Sequence, residues 1–114
     1  MKFPRAIRLL RHADFERVYK QGRRHFSPHM TVFYLRREAG GGLRVGFTVS
    51  RALGGAVDRN RMKRRLREAV RQSKPGIGVP VDVVMNPKKS LLTADFRDLL
   101  EEVGRAFEVI LQRA

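Results

Sequence analysis

The sequence predicts a small α/β (α+β) two-layer sandwich. Three observations lead there. Three segments carry apolar residues at helical spacing. Three others are rich in β-branched and aromatic residues or alternate with period two. The two kinds interleave as helix, two strands, helix, strand, helix. At 114 residues the chain reads as one domain, 1–114, large enough to bury roughly two thirds of its unfolded surface. A hydrophobic content of 42% is ordinary for a globular chain and argues against disorder.

Residues 1–10 mix cations with Ile7, Leu9 and Leu10 and are expected to run extended over the surface. Residues 13–21 read as a short helix with Phe15, Val18 and Tyr19 on one side, and Gly22 as its left-handed stop. Thr31, Val32, Phe33, Tyr34 and Leu35 make residues 30–36 a strand. Gly40-Gly41-Gly42 is then a turn, and residues 43–50 are expected to return as the antiparallel partner. There Leu43, Val45, Phe47 and Val49 alternate with Arg44, Gly46, Thr48 and Ser50, so one face is core and the other small and polar.

A glycine-bearing loop leads to Asp58, the expected N-cap of a basic helix. In that helix Met62, Leu66, Ala69 and Val70 form one apolar stripe, and the pattern fades at Ser73-Lys74-Pro75-Gly76. Residues 81–85 are a short apolar strand closed by Asn86-Pro87. Thr93 is the expected cap of a last helix carrying Phe96, Leu99, Leu100, Val103, Ala106, Phe107, Ile110 and Leu111. No internal repeat interrupts this order.

Charge is what points to function. The run Arg59-Asn60-Arg61-Met62-Lys63-Arg64-Arg65-Leu66-Arg67 places six cations in nine residues, and docking its apolar stripe leaves those cations outward. Cations at i,i+4 repel, and a polyanion relieves that repulsion. The charge is also segregated. Residues 1–24 and 56–74 each carry eight cations against two acids, whereas residues 90–114 carry three against five. A net charge of +14 spread for solubility alone has no reason to divide in this way, and a polyanion-binding face does. Glu68, set against Arg64 or Arg65, cannot neutralise the seven cations from Arg59 to Arg71. A DNA-reading helix-turn-helix is disfavoured, because strands rather than a helix precede the basic helix.

Other classes find less support. The absence of cysteine excludes disulfides and thiolate metal sites and suits a reducing cytoplasm. No apolar run of about 18 residues could span a membrane, and the first residues lack a signal-peptide core, so a soluble cytoplasmic protein is expected. His12, His25 and His29 stand in no catalytic pattern. Asp14, Glu16, Glu38, Asp58, Glu68 and Asp82 show no spacing suited to a two-metal site. Phe15, Tyr19 and Phe33 could each be core. Taken together, beside the polar strand face of Thr48 and Ser50 and the cations Arg51, Arg59 and Lys63, they suit a groove that stacks unpaired bases.

These residues give the sequence a resemblance to the protein subunits of bacterial ribonuclease P. It rests on Arg59-Asn60-Arg61-Met62-Lys63-Arg64, on Asp14-Phe15 through Tyr19-Lys20-Gln21-Gly22, and on Arg44-Val45-Gly46-Phe47-Thr48-Val49-Ser50-Arg51. It covers roughly residues 7–111. The resemblance implies a fold like the second domain of a small-subunit ribosomal protein, with a mainly four-stranded mixed sheet and a left-handed β-α-β crossover. It also implies a partnership with a catalytic RNA that removes the 5′ leader of precursor tRNA, using Mg2+ held by that RNA. Arg59, Asn60, Arg61, Lys63, Arg64 and Arg67 would contact the catalytic RNA. Phe15, Tyr19 and Phe33, with Thr48, Ser50 and Arg51, would line the cleft for the single-stranded leader. No catalytic residue is assigned to the protein and no metal ligand set is mapped. The sequence departs from the family at Tyr19, where phenylalanine is common, at Arg65, where an apolar residue is usual, and at Asn86-Pro87-Lys88-Lys89. A ribosomal or assembly protein, or an independent metal-dependent nuclease, are the competing readings.

Overall fold

A computed structural model describes residues 11–38, 41–73, 78 and 80–113. The expected extended segment 1–10, Gly40 of the glycine turn, and residues 74–76 at the fading end of the basic helix lie outside them. The described chain runs α1 (His12–Gln21), β1 (Arg23–Phe26), β2 (Met30–Arg36), β3 (Leu43–Phe47), a one-turn 3₁₀ helix (Arg51–Leu53), α2 (Ala56–Ser73), β4 (Val81–Pro87), a second 3₁₀ turn (Lys89–Leu92) and α3 (Phe96–Arg113). The result is a mixed α/β fold in which four strands lie in the order β1-β2-β4-β3.

That order corrects the expected hairpin. β3 is not the antiparallel partner of β2. It runs parallel to β4, and β4 lies between them, antiparallel to β2. The reason is the two-sided burial of β4, where Val81, Asp82, Val83, Val84 and Met85 are all inaccessible. A strand apolar on both faces belongs in the middle of a sheet. Asp82 holds it there. Its carboxylate accepts from Arg44 Nε on β3 at 2.8 Å and from Arg44 Nη2 at 2.7 Å, and it pairs with Arg37 just beyond β2. α2 is therefore the connection between two adjacent parallel strands. β1 is an element the pattern missed, because Arg23, Arg24 and His25 do not read as a strand. It pairs antiparallel with β2.

The sheet has two different faces. Met30, Val32, Tyr34, Val45, Val83 and Met85 face a continuous core with Met62, Leu66, Ala69 and Val70 of α2 and Leu99, Val103, Ala106, Phe107 and Ile110 of α3. Both predicted stripes are buried as expected, although Leu111 stays half exposed. α1 crosses the other face, over a small cluster of Val18 and Val84 with Phe15, Phe33 and Leu35 at its rim.

Three terminal signals resolve differently from expectation. Gly22 is extended (φ −80°, ψ 174°) rather than left-handed. Its glycine is required by a close approach, since a Cβ would meet the Val18 carbonyl oxygen at 2.4 Å and that of Tyr34 at 2.6 Å. Asp58 sits inside the first turn of α2, which starts at Ala56, so it favours the helix dipole without capping it. Thr93 ends the 3₁₀ turn before α3, and the Asp95 carboxylate instead accepts from the Arg97 N–H at 3.0 Å.

Candidate nucleic-acid interface

The outer face of α2 follows from its buried stripe. With Met62, Leu66, Ala69 and Val70 fixed in the core, Asn60, Arg61, Arg64 and Arg67 are exposed, and Arg59 and Lys63 are half-buried. Two cations of the segment are committed elsewhere. Arg65 donates to the carbonyls of Leu92, at 2.8 Å, and Ala94, tying α2 to the turn before α3. Glu68 pairs with Arg71, not with Arg64 or Arg65; the Arg71 hydrogen bonds, aided by Gln72, hold its carboxyl down at about 2. Among the described residues no ion pair reaches Arg59, Arg61, Lys63, Arg64 or Arg67, and Arg59 Nε is a buried donor without an acceptor. Five cations on one rigid rod thus lack protein counter-charges. Such a surface attracts phosphates.

The second surface is the cleft between α1 and the sheet. Spacing of four on α1 sets Phe15 and Tyr19 on one flank, while Asp14 and Val18 point inward. Tyr19 stands edge-on to Phe33 of β2, ring centroids 5.0 Å apart. Arg24 of β1, cross-strand from Phe33, puts its guanidinium 5.7 Å from the Phe33 ring centroid. The Tyr19 hydroxyl donates to Thr48 Oγ1 at 2.8 Å or to Asn86 Oδ1 at 3.1 Å, which joins α1 to the far ends of β3 and β4. Gly46, level with Val84, adds no side chain to this face. The site therefore offers aromatic edges, hydroxyl and amide groups, and a cation at its rim. That is chemistry suited to unpaired bases.

Of the predicted cleft residues, Phe15, Tyr19, Phe33 and Thr48 come together. Ser50 and Arg51 do not join that contact set. The Ser50 hydroxyl caps the 3₁₀ turn by accepting from the Ala52 N–H at 3.2 Å, and Arg51 is exposed at its start. This turn packs against α2, so both residues lie on the stretch that leads from the cleft to the basic helix.

An ion network anchors the cleft's framework. Arg44 bridges fully buried Asp82 to buried Asp14 at the start of α1, 3.3 Å away, and Arg17 approaches Asp14 at 3.7 Å. The bonds to Asp82 raise the already high Arg44 pKa further. The histidines are engaged structurally. The His29 N–H donates to Glu102 Oε1 at 2.9 Å, and His12 contacts Glu16 one turn along α1 at 3.1 Å. His25 lies on the α3 side of β1, where burial and then Arg105 and Arg113 hold its pKa below the usual value. Among the described residues no group of three His, Asp or Glu could hold a metal ion.

Known proteins match this arrangement over almost its whole length. A profile of the ribonuclease P family matches residues 3–111. The chain is 40% identical over 105 residues to the ribonuclease P protein component of Geobacter sp. (strain M21), covering 92% of this chain and 89% of that one. It is likewise 40% identical over 104 residues to that of Symbiobacterium thermophilum, covering 91% and 90%. The chain belongs to the ribonuclease P protein family. Solved ribonuclease P proteins share the fold. That of Staphylococcus aureus superposes with a TM-score of 0.79 at 25% identity, covering 93% of this chain and 96% of its own. That of Thermotoga maritima gives 0.78 at 28%, covering 90% and 96%.

Within this ribonuclease P family domain the departures noted in the sequence acquire physical roles. The Tyr19 hydroxyl is a cross-cleft tie, Arg65 is a helix-to-turn anchor, and Asn86 is an acceptor for Tyr19. Lys88 reaches the Ser27 carbonyl at 3.3 Å. Sequence reasoning missed Arg24, Asn86 and Phe26. Phe26 pairs with Thr31 and shares the cleft face with Arg24, two residues before it, yet is 68% exposed. Recognising β1 as a strand was the only signal that could have placed it.

Proposed function

We propose that this chain is the protein subunit of a ribonuclease P holoenzyme in the cytoplasm. It binds the catalytic RNA through α2 and the single-stranded 5′ leader of precursor tRNA in the α1–sheet cleft, and so promotes endonucleolytic removal of the leader. DNA and membranes are not partners in this reading; no described helix is long and apolar enough to cross a membrane.

The observation that carries the proposal is the division of labour between the two surfaces. α2 presents Arg59, Arg61, Lys63, Arg64 and Arg67 without counter-charges, whereas the cleft presents Tyr19 and Phe33 within reach of hydroxyl and amide groups. The first neutralises phosphates wherever they lie, and the second needs unstacked bases. Each phosphate neutralised contributes a slope of roughly −0.7 (single strand) to −0.9 (duplex) in log affinity against log salt, so the five cations give about −3.5 to −4.5. Precursor and mature tRNA differ by the leader strand, and the cleft provides the discrimination.

The hydrolytic step belongs to the RNA subunit. Among the described residues no three His, Asp or Glu side chains are grouped to hold a metal, and the two buried aspartates are engaged: Asp82 by Arg37 and Arg44, and Asp14 by Arg44 and Arg17. In this reading Mg2+ serves the holoenzyme mainly through the RNA subunit. The test is cleavage of a 5′-extended precursor tRNA at low magnesium by bacterial ribonuclease P RNA, with and without this protein. Cleavage at the mature 5′ end only when both are present supports the proposal. No enhancement by a folded, RNA-binding protein would favour a ribosomal role, and cleavage by the protein alone would favour an independent nuclease.

A further inference from the structure

The proposed leader cleft uses one flank of α1, and cations gather on the other. Arg17 and Gln21, four residues apart, fall on the side of α1 away from Phe15 and Tyr19. Two adjoining hollows of about 400 and 420 Å³ open there, sharing Gln21, Leu35 and Arg36. Arg23 of β1 and Arg113 of α3 wall one hollow, Arg17 and Arg37 the other, and Glu38 is the one acid in either. Arg37 is turned toward Asp82 and the Gly42 carbonyl, 2.8 Å away, and Arg17 toward Asp14. Arg23, Arg36 and Arg113 are exposed and enter no ion pair among the described residues.

Three arginines from three different elements therefore converge on one concavity with no counter-charge of their own. The contrast with the hollow along α3 is sharp, because that one is lined by Glu101, Glu102 and Glu108 with Arg105. Of the two, only the arginine-lined hollow can accept a polyanion.

We propose that this hollow is a second phosphate-binding site, taking the phosphodiester backbone of RNA on the flank of α1 opposite the leader cleft. The inference rests on the proposed function, which supplies the two RNA strands that could reach it: the catalytic RNA, or the leader after it leaves the cleft. α1 then divides two binding surfaces, one that stacks bases and one that holds phosphates.

The test uses the reconstituted holoenzyme and the triple variant Arg23→Glu, Arg36→Glu, Arg113→Glu, with Arg64→Ala, Arg67→Ala on α2 as the reference. One arm measures affinity for bacterial ribonuclease P RNA over a salt series, and the other measures holoenzyme affinity for precursor tRNA. The expected result is at least a tenfold loss at moderate salt in one arm. The salt slope there should be shallower by about 2, from three contacts of roughly 0.7 each. Loss in the first arm identifies the catalytic RNA as the source of the phosphates, and loss in the second the leader. Unchanged binding in both arms overturns the inference. If the α2 reference weakens in the same experiment, the proposed function stands without the second site; if the reference is unchanged too, that reading falls with it. Should the triple variant not fold, Arg36→Gln alone is measured, with a severalfold loss expected and no loss overturning the site.

Discussion

The outer face of α2 and the cleft under α1 keep their polar groups in opposite states. On α2, Arg61, Arg64 and Arg67 stand exposed and without ion-pair partners among the described residues. In the cleft, Tyr19 is bonded to Thr48 or Asn86, and Arg44 to Asp82 and Asp14. One surface is electrostatically incomplete and so suits a polyanion. The other has its polar groups bonded to one another, Asp14 Oδ2 excepted, and so is held in shape by the protein itself. Affinity that responds to salt should come from the first, and discrimination between strands from the second.

Breaking the framework of the cleft should give the largest effect. Asp82→Ala leaves Arg37 and Arg44 facing a buried gap, and removal of one partner from a buried ion network costs about 3–5 kcal/mol. Urea denaturation should show a loss of that order, whereas Arg64→Ala should leave the midpoint within about 0.5 kcal/mol. Equal stability of the two variants would erase the distinction between an anchored cleft and a free cationic face.

The next effect is on binding. Phe33→Ala should cost about 1–3 kcal/mol of precursor affinity, roughly 5- to 150-fold, while mature tRNA binding stays unchanged. Arg61→Ala with Arg64→Ala should instead weaken binding to the catalytic RNA and flatten its salt slope by about 1.4 to 1.8. Tyr19→Phe sharpens the contrast. It keeps the ring against Phe33 and removes the tie to Thr48 and Asn86, so stability should fall by about 0.5–1.5 kcal/mol with little change in base stacking.

The smallest effect is in pH. The folded-state pKa of His25 lies below its unfolded value near 6.5, so the unfolded chain binds more protons between the two. Its contribution is fully present above about 6.5 and is lost as pH falls through that value toward the folded pKa. Denaturation midpoints at pH 7.5 and 5.5 should differ less in His25→Gln than in the parent chain.

Much of this arrangement was legible in the sequence, for physical reasons. The stripes Met62-Leu66-Ala69-Val70 and Leu99-Val103-Ala106-Phe107-Ile110 are local patterns, and both are buried as their spacing requires. Residues 30–36 read as a strand for the same reason. Strand neighbours are not local. Chain adjacency suggested that β3 pairs with β2, whereas the two-sided burial of 81–85 placed β4 between them. At the sites, the uncountered cations of α2 could be tallied from composition. The bonds of Tyr19 to Thr48 and Asn86 span 29 and 67 residues, and no periodicity reports on contacts of that range. Phe26 and Arg24 were hidden because β1 is four residues long and three of them are basic or histidine.

The most direct test of the account is the ratio of precursor to mature tRNA affinity in the reconstituted holoenzyme, measured for the parent chain, Phe33→Ala, and Arg61→Ala with Arg64→Ala. The account predicts that Phe33→Ala collapses the ratio toward one, while the α2 pair, measured with enough protein to saturate the catalytic RNA, preserves it. A ratio unaffected by Phe33→Ala, or abolished by the α2 pair in the saturated complex, would contradict the division between a cleft that recognises the leader and a helix that binds phosphates.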